Sequence, residues 1–199
     1  MKKLTIVLTA AVLFFGIIGV FSLRSQEEMS EDQMMEMMMK YGTPGDNHKK
    51  LDGMTGNWNF ATKWWADQSA PAQETKGSCK AEWVLGGRFV QENVTGDMMG
   101  QPFHGMGFTG YDNFNQKYQM FWIDEMATCF MLADGQIDKD GKVITFEGTY
   151  DDYMTGQKDK RFKSEVRFVD TNTRVYRSYE FPADGEPYVS FEVTYKRAM

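Results

Sequence analysis

The chain has 199 residues, of which 42% are hydrophobic, 15% aromatic and 25% charged, enough for one domain with a substantial core plus an appendage. The formal net charge is −6, and loss of Lys2 and Lys3 with a cleaved leader would leave 20 basic residues against 28 acidic ones, or −8. An acidic chain is repelled by phosphate backbones and anionic lipid surfaces, which argues against nucleic acid as a partner.

The first element is a leader. Lys2 and Lys3 precede an uncharged apolar run of 18 residues, Leu4 to Phe21, and Ser22 or Ser25 offers a small residue for cleavage. The run is long for a signal peptide and near the lower limit for a bilayer span. Residues 1–25 are therefore expected to be a signal peptide or an N-terminal anchor. The protein is expected to be exported, periplasmic or extracellular, touching a membrane only through an uncleaved segment. No cysteine follows the run, which argues against a lipid anchor.

Residues 26–55 form a Met-rich helical segment. Ser30 and Gln33 make a capping-box pattern, so a helix is expected from Glu31 until Gly42 and Pro44 stop it. Asp46 is an acceptable N-cap for a second short helix ending near Asp52 or Gly53. Met29, Met34, Met35, Met37, Met38 and Met39 suit an adaptable helix seated on the mouth of the domain that follows. A soft Cu(I) site is the alternative, with M-x-M spacing at Met35/Met37 and Met37/Met39.

From Gly56 the pattern turns to period two. Strands are expected at 57–65, 75–84, 88–95, 103–111, 117–125, 128–133, 143–150, 161–169, 173–181 and 187–196. Gly, Asp, Asn and Pro punctuate the gaps, each with turn chemistry of its own. Ten short strands with tight connections indicate an all-β antiparallel meander. So long a meander exposes two edges unless it closes, so residues 56–199 are expected to form an up-and-down β-barrel of about ten strands. Trp58, Phe60, Thr62 and Trp64 share one face of the first strand. In the last strand Val189, Phe191, Val193 and Tyr195 oppose a polar face, as closure of first strand on last requires.

The hairpin in the middle has two partly apolar faces. If Tyr111 pairs with Tyr118, Gly107 faces Trp122 and Gly105 faces Asp124. On the other side Phe108 meets Phe121, Met106 meets Ile123, and His104 meets Glu125. Either face can line the barrel, leaving the other for a homodimer contact.

Several segments follow one another in a fixed order: Gly42-Thr43-Pro44-Gly45 with His48 and Leu51, Gly56-Asn57-Trp58, and Leu85-Gly86-Gly87-Arg88-Phe89. Further on come Gly96 to Phe103, Gly110-Tyr111-Asp112-Asn113, Trp122-Ile123-Asp124 with Thr128, and Met154-Thr155-Gly156. In order and spacing they resemble the domain-of-unknown-function 1579 family, over roughly residues 35 to 197. The resemblance implies an exported, single-domain bacterial protein. It carries over no catalytic residue, since that family offers no established reaction. Where the family has an acidic residue after Pro-Phe, this chain has His104. Gly56-Asn57-Trp58, with Arg197 or Lys196 near the C-terminus, also resembles the calycins, whose first-strand Trp packs against a late basic residue. That likeness implies a barrel able to hold one apolar ligand.

The chemistry is sparse. With only His48 and His104, a zinc site of several histidines is excluded by count. His48 is expected to bond locally, and a haem on His104 is a minor alternative. Asp138-Lys139-Asp140-Gly141 opens like a calcium loop but lacks the later ligands, so it reads as a hairpin turn. Cys79 and Cys129 could bridge in an oxidising compartment or stand as separate thiols, the second being the plainer expectation. Asp124 is expected to be satisfied by Arg88 or by backbone donors.

The residues assigned to ligand binding are Trp122, Asp124, Arg88, Met106 and Phe108. No metal site, cofactor or catalytic group is assigned. The leading function is a binding barrel for a small apolar or amphipathic molecule. The alternatives are a filled barrel acting through oligomerisation and an enzyme using Asp124.

Overall fold

The computed structural model describes residues 29–199 apart from Gln68, Met99 and Ala183. The expected leader lies outside the described residues. The chain divides into two units, with the boundary between Met35 and Glu36 inside the first helix.

That helix, α1, spans Glu31–Gly42. Its capping box forms as expected: Gln33 N–H donates to Ser30 Oγ at 3.2 Å, and Ser30 N–H donates to Gln33 Oε1 at 2.9 Å. None of its residues is buried, and Met37, Met38 and Met39 are exposed. Its C-terminal end is tied to Asn113, in a turn between two later strands, whose Nδ2 donates to the carbonyls of Tyr41 and Thr43.

A short helix, α2 (Asp46–Lys49), runs directly into a 3-10 turn, Lys50–Met54. The cap is Gly45 rather than Asp46. Its N–H donates to His48 Nδ1 at 3.1 Å, while Asp46 pairs with Lys49 on the surface.

Ten strands follow: β1 Gly56–Trp64, β2 Gln73–Val84, β3 Phe89–Met98, β4 Gln101–Asp112, β5 Lys117–Asp124, β6 Met131–Ile137, β7 Val143–Asp152, β8 Gln157–Asp170, β9 Thr173–Glu180 and β10 Tyr188–Arg197. Each pairs antiparallel with its neighbours in sequence, and β1 pairs with β10, closing the barrel. Closure sets Phe60 opposite Tyr195, Thr62 opposite Val193 and Trp64 opposite Phe191, so the apolar faces of both terminal strands turn inward.

One strand sits later than expected. Thr128 to Phe130 form a loop, and β6 begins at Met131. Its register is set by pairing with β5, Tyr118 opposite Gly135 and Trp122 opposite Met131. Asp134 and Gly135, beyond the expected end of the strand at 133, lie inside it. Asp134 pairs with Lys117 at 2.6 Å across the sheet. Gly135 leaves room for the Phe146 ring, whose Cδ1 lies 2.6 Å from where a Cβ would stand.

The barrel is plugged at the end where β1 starts. Leu51 and Met54 are fully buried there with Trp58, whose indole N–H donates to the Met54 carbonyl at 2.9 Å. Tyr118 closes the same end by donating its hydroxyl to the Asn47 carbonyl. Arg197 lies over the Trp58 ring at 4.3 Å and donates to the Thr55 and Thr171 carbonyls, so the late basic partner of the first-strand Trp is present. Gly56 is required between them. Its φ is +118°, and a Cβ there would fall 2.2 Å from Arg197 Nη1.

Candidate functional site

The interior is not filled. A cavity of about 540 Å³ runs from the open end of the barrel down to Met54. Its walls are mostly aromatic and aliphatic, with Phe60, Val94, Met120, Trp122, Phe146 and Phe162 among them. Pockets of a few hundred Å³ with such a lining are the usual size for one small molecule.

The middle hairpin turns its glycine face inward. Its register is the expected one, Gly107 opposite Trp122 and Gly105 opposite Asp124. The indole of Trp122 lies flat on β4 over those two glycines, since a Cβ at Gly105 would stand 2.3 Å from its Cζ2 and one at Gly107 3.0 Å from its Cε3. The indole N–H donates to Asp124 Oδ2 at 2.7 Å, and Asp124 Oδ1 accepts the Met126 N–H at 2.8 Å. Asp124 is therefore held by Trp122 and by the backbone after β5, not by Arg88. Each of its oxygens is engaged in placing an aromatic wall and a rim loop.

Of the five assigned residues, Trp122 and Asp124 line the cavity together. Met106 and Phe108 alternate with Gly105 and Gly107 and so lie on the outer face, where Phe108 meets Phe121 and Phe121 meets Phe130. Arg88 folds back on the β2–β3 turn, its Nη1 donating to the Leu85 carbonyl. Period-two alternation allows only one face of the hairpin inside, which separates the set.

Neither histidine reaches the cavity. His104 is exposed on the outer face with Nδ1 3.0 Å from Glu125 Oε2, and His48 is buried in the plug. The described residues thus bring no imidazole to a haem inside the barrel. Asp138 closes the β6–β7 turn by accepting the backbone N–H groups of Lys142 and Val143, as a hairpin requires. Cys79 is buried and Cys129 exposed, and both are free thiols.

The floor of the interior holds a buried ion pair. Arg174 on β9 is 3% exposed, and its Nη2 donates to Glu92 Oε1 on β3 at 2.5 Å. The guanidinium lies 4.0 Å from the Tyr195 ring and 5.1 Å from that of Trp58. Cys79 Sγ stands 3.6 Å from Glu92 Oε1, and burial together with that carboxylate pushes its thiol pKa up. Burial likewise raises the phenols of Tyr195 and of Tyr176, the latter to about 12. All three stay protonated at neutral pH, so the charge of the floor is that of the Glu92–Arg174 pair.

Two buried polar atoms have no hydrogen-bond partner among the described residues, Arg174 Nε and Ser164 Oγ. Glu92 and Arg174 escaped the sequence reading although a signal was present. Glu92 stands between Val90 and Val94 on one face of β3, and Arg174 shares a face of β9 with Tyr176, so each is a charge on a strand face that also carries apolar or aromatic side chains.

Fold and site define a closed ten-stranded antiparallel barrel, plugged at one end, with an apolar interior cavity and one buried ion pair on its floor. The chain belongs to the family described as "Protein of unknown function (DUF1579)", whose pattern it matches over residues 43–197. No curated protein matches the sequence. Among solved structures it is similar to the crystal structure of Rv2717c from M. tuberculosis, at 11% identity and a TM-score of 0.56, covering 79% of this chain and all of that one. A redesigned β-barrel, b11L5F_LGL, is similar at 11% identity and a TM-score of 0.40, over 75% of this chain and 96% of its own. The first likeness shows the shared barrel fold.

Proposed function

We propose that the barrel binds one small apolar or amphipathic molecule in its interior. The observation that carries this reading is the 540 Å³ cavity, open at one end and walled by aromatic and methionine side chains. Burial of such a surface by a ligand is favourable in proportion to the apolar area removed from water. Access would be through the end where Trp64, Met98 and Met126 stand. The leader, Leu4 to Phe21 behind two lysines, supports export, so the ligand would be met outside the cytoplasm.

The test is native mass spectrometry of the protein purified from its own host, beside Val94→Phe, which fills the cavity wall. The reading expects a reproducible adduct on the native chain that Val94→Phe loses while keeping its fold by circular dichroism. A bare mass, together with failure of any apolar fluorophore to bind, overturns it.

A further inference from the structure

The cavity is apolar along its walls, but its floor is dipolar. Arg174 and Glu92 both line it, and their charges cancel at 2.5 Å. Among the described residues, the hydrogen bonds that Arg174 donates all come from Nη2, to Glu92 and more weakly to Cys79 Sγ. A guanidinium carries five N–H donors and no acceptor. The buried Nε has no partner among the described residues but is closed to the cavity, which leaves Nη1, without a protein partner among them, as the donor a ligand can meet. A buried arginine with unspent donors calls for an acceptor, because leaving such groups unpaired is costly.

Charge narrows what that acceptor can be. A carboxylate reaching the floor would lie against Glu92 and would have to compete with it for Arg174. It would also pass a rim where Glu74, Asp97 and Asp124 line the entrance. Those side chains repel an anion and leave a neutral molecule indifferent. Resting on the binding reading above, we infer that the ligand is a neutral amphiphile. It sits with an uncharged acceptor (alcohol, ketone or ester oxygen) on Arg174 at the floor and its hydrocarbon body against Phe60, Val94, Met120 and Trp122.

The experiment is displacement of an apolar fluorophore from the full chain by alkyl chains of one length ending in an alcohol, a methyl ester or a carboxylate. Alcohol and ester are expected to bind at least about tenfold more tightly than the carboxylate. Glu92→Gln removes the counter-charge, so the carboxylate is expected to gain about tenfold or more and overtake the alcohol.

A buried arginine without its partner can unfold a domain, so a second variant keeps the inference testable. Glu92→Leu with Arg174→Met removes the pair together, an exchange that buried ion pairs often tolerate. It is expected to bind the hydrocarbon chains with no preference for the alcohol over a bare alkane. A native protein that prefers the carboxylate overturns the neutral head group and leaves the binding reading standing. So does an alcohol preference that survives the double replacement. Failure of every chain to displace the fluorophore removes the binding reading and this inference with it.

Discussion

At the scale of single residues, the interior is arranged by a few side chains whose roles depend on an exact neighbour. His48 is the clearest case for titration. It is buried, and its Nδ1 must be unprotonated to accept the Gly45 N–H. Burial, with Arg88 adding to it, lowers its pKa below the usual 6.5. A histidine whose folded pKa is lowered favours folding only while neutral. Its contribution is whole above about pH 6.5, declines as pH falls below that value, and is fully lost beneath the folded pKa. Chemical denaturation of the native chain and of His48→Gln between pH 7.5 and 5 should therefore show their stability difference shrinking with acid. A constant difference across that range would remove His48 as the titrating group. Asp138 shifts in the same direction for the opposite reason: the Lys142 and Val143 N–H groups hold its exposed carboxylate low by favouring the charged form, the ordinary outcome for a turn acceptor.

At the scale of elements, the β4–β5 hairpin shows how glycine placement and an aromatic ring make one device. Gly105 and Gly107 create a bare strip on β4, and Trp122 covers it from β5. The ring gains a flat contact, and Asp124 fixes its orientation through the indole N–H. Gly105→Ala puts a methyl group into the ring's place and should destabilise the barrel by about 1–3 kcal/mol, the usual cost of overpacking a core. Urea unfolding measures it, and the Trp emission should shift to the red as the ring moves. Adding Trp122→Phe to Gly105→Ala should recover part of the loss, because the two changes share one contact. Strict additivity would show that the ring does not rest on Gly105. The plug behaves as an element too: Leu51 and Met54 lie in a turn that sequence reads only as the end of a helix, yet they are as buried as any strand residue.

At the scale of the whole molecule, closure replaces covalent staples. The two thiols are free, one inside the barrel and one on a loop, so stability should not depend on reductant. Alkylation under native conditions should modify Cys129 alone. Cys79, buried and with its thiol pKa raised, should react only after unfolding. Mass spectrometry with and without urea counts the labels. Two labels on the folded chain, or none on the unfolded unreduced chain, would contradict this arrangement. Alternation, turn residues and the matched faces of β1 and β10 were enough to determine the ten-stranded barrel and the pairing of the middle hairpin from sequence, because period two and tight turns are local properties. Three things were decided only by tertiary structure. One is which hairpin face looks inward, since both are partly apolar and only the pleat's continuation around a closed sheet chooses. Another is the extent of β6, where pairing on both sides carries Asp134 and Gly135 into the strand. The last is the meeting of Glu92 with Arg174, 82 residues apart in the chain, across the floor of a cavity that exists only once the barrel has closed.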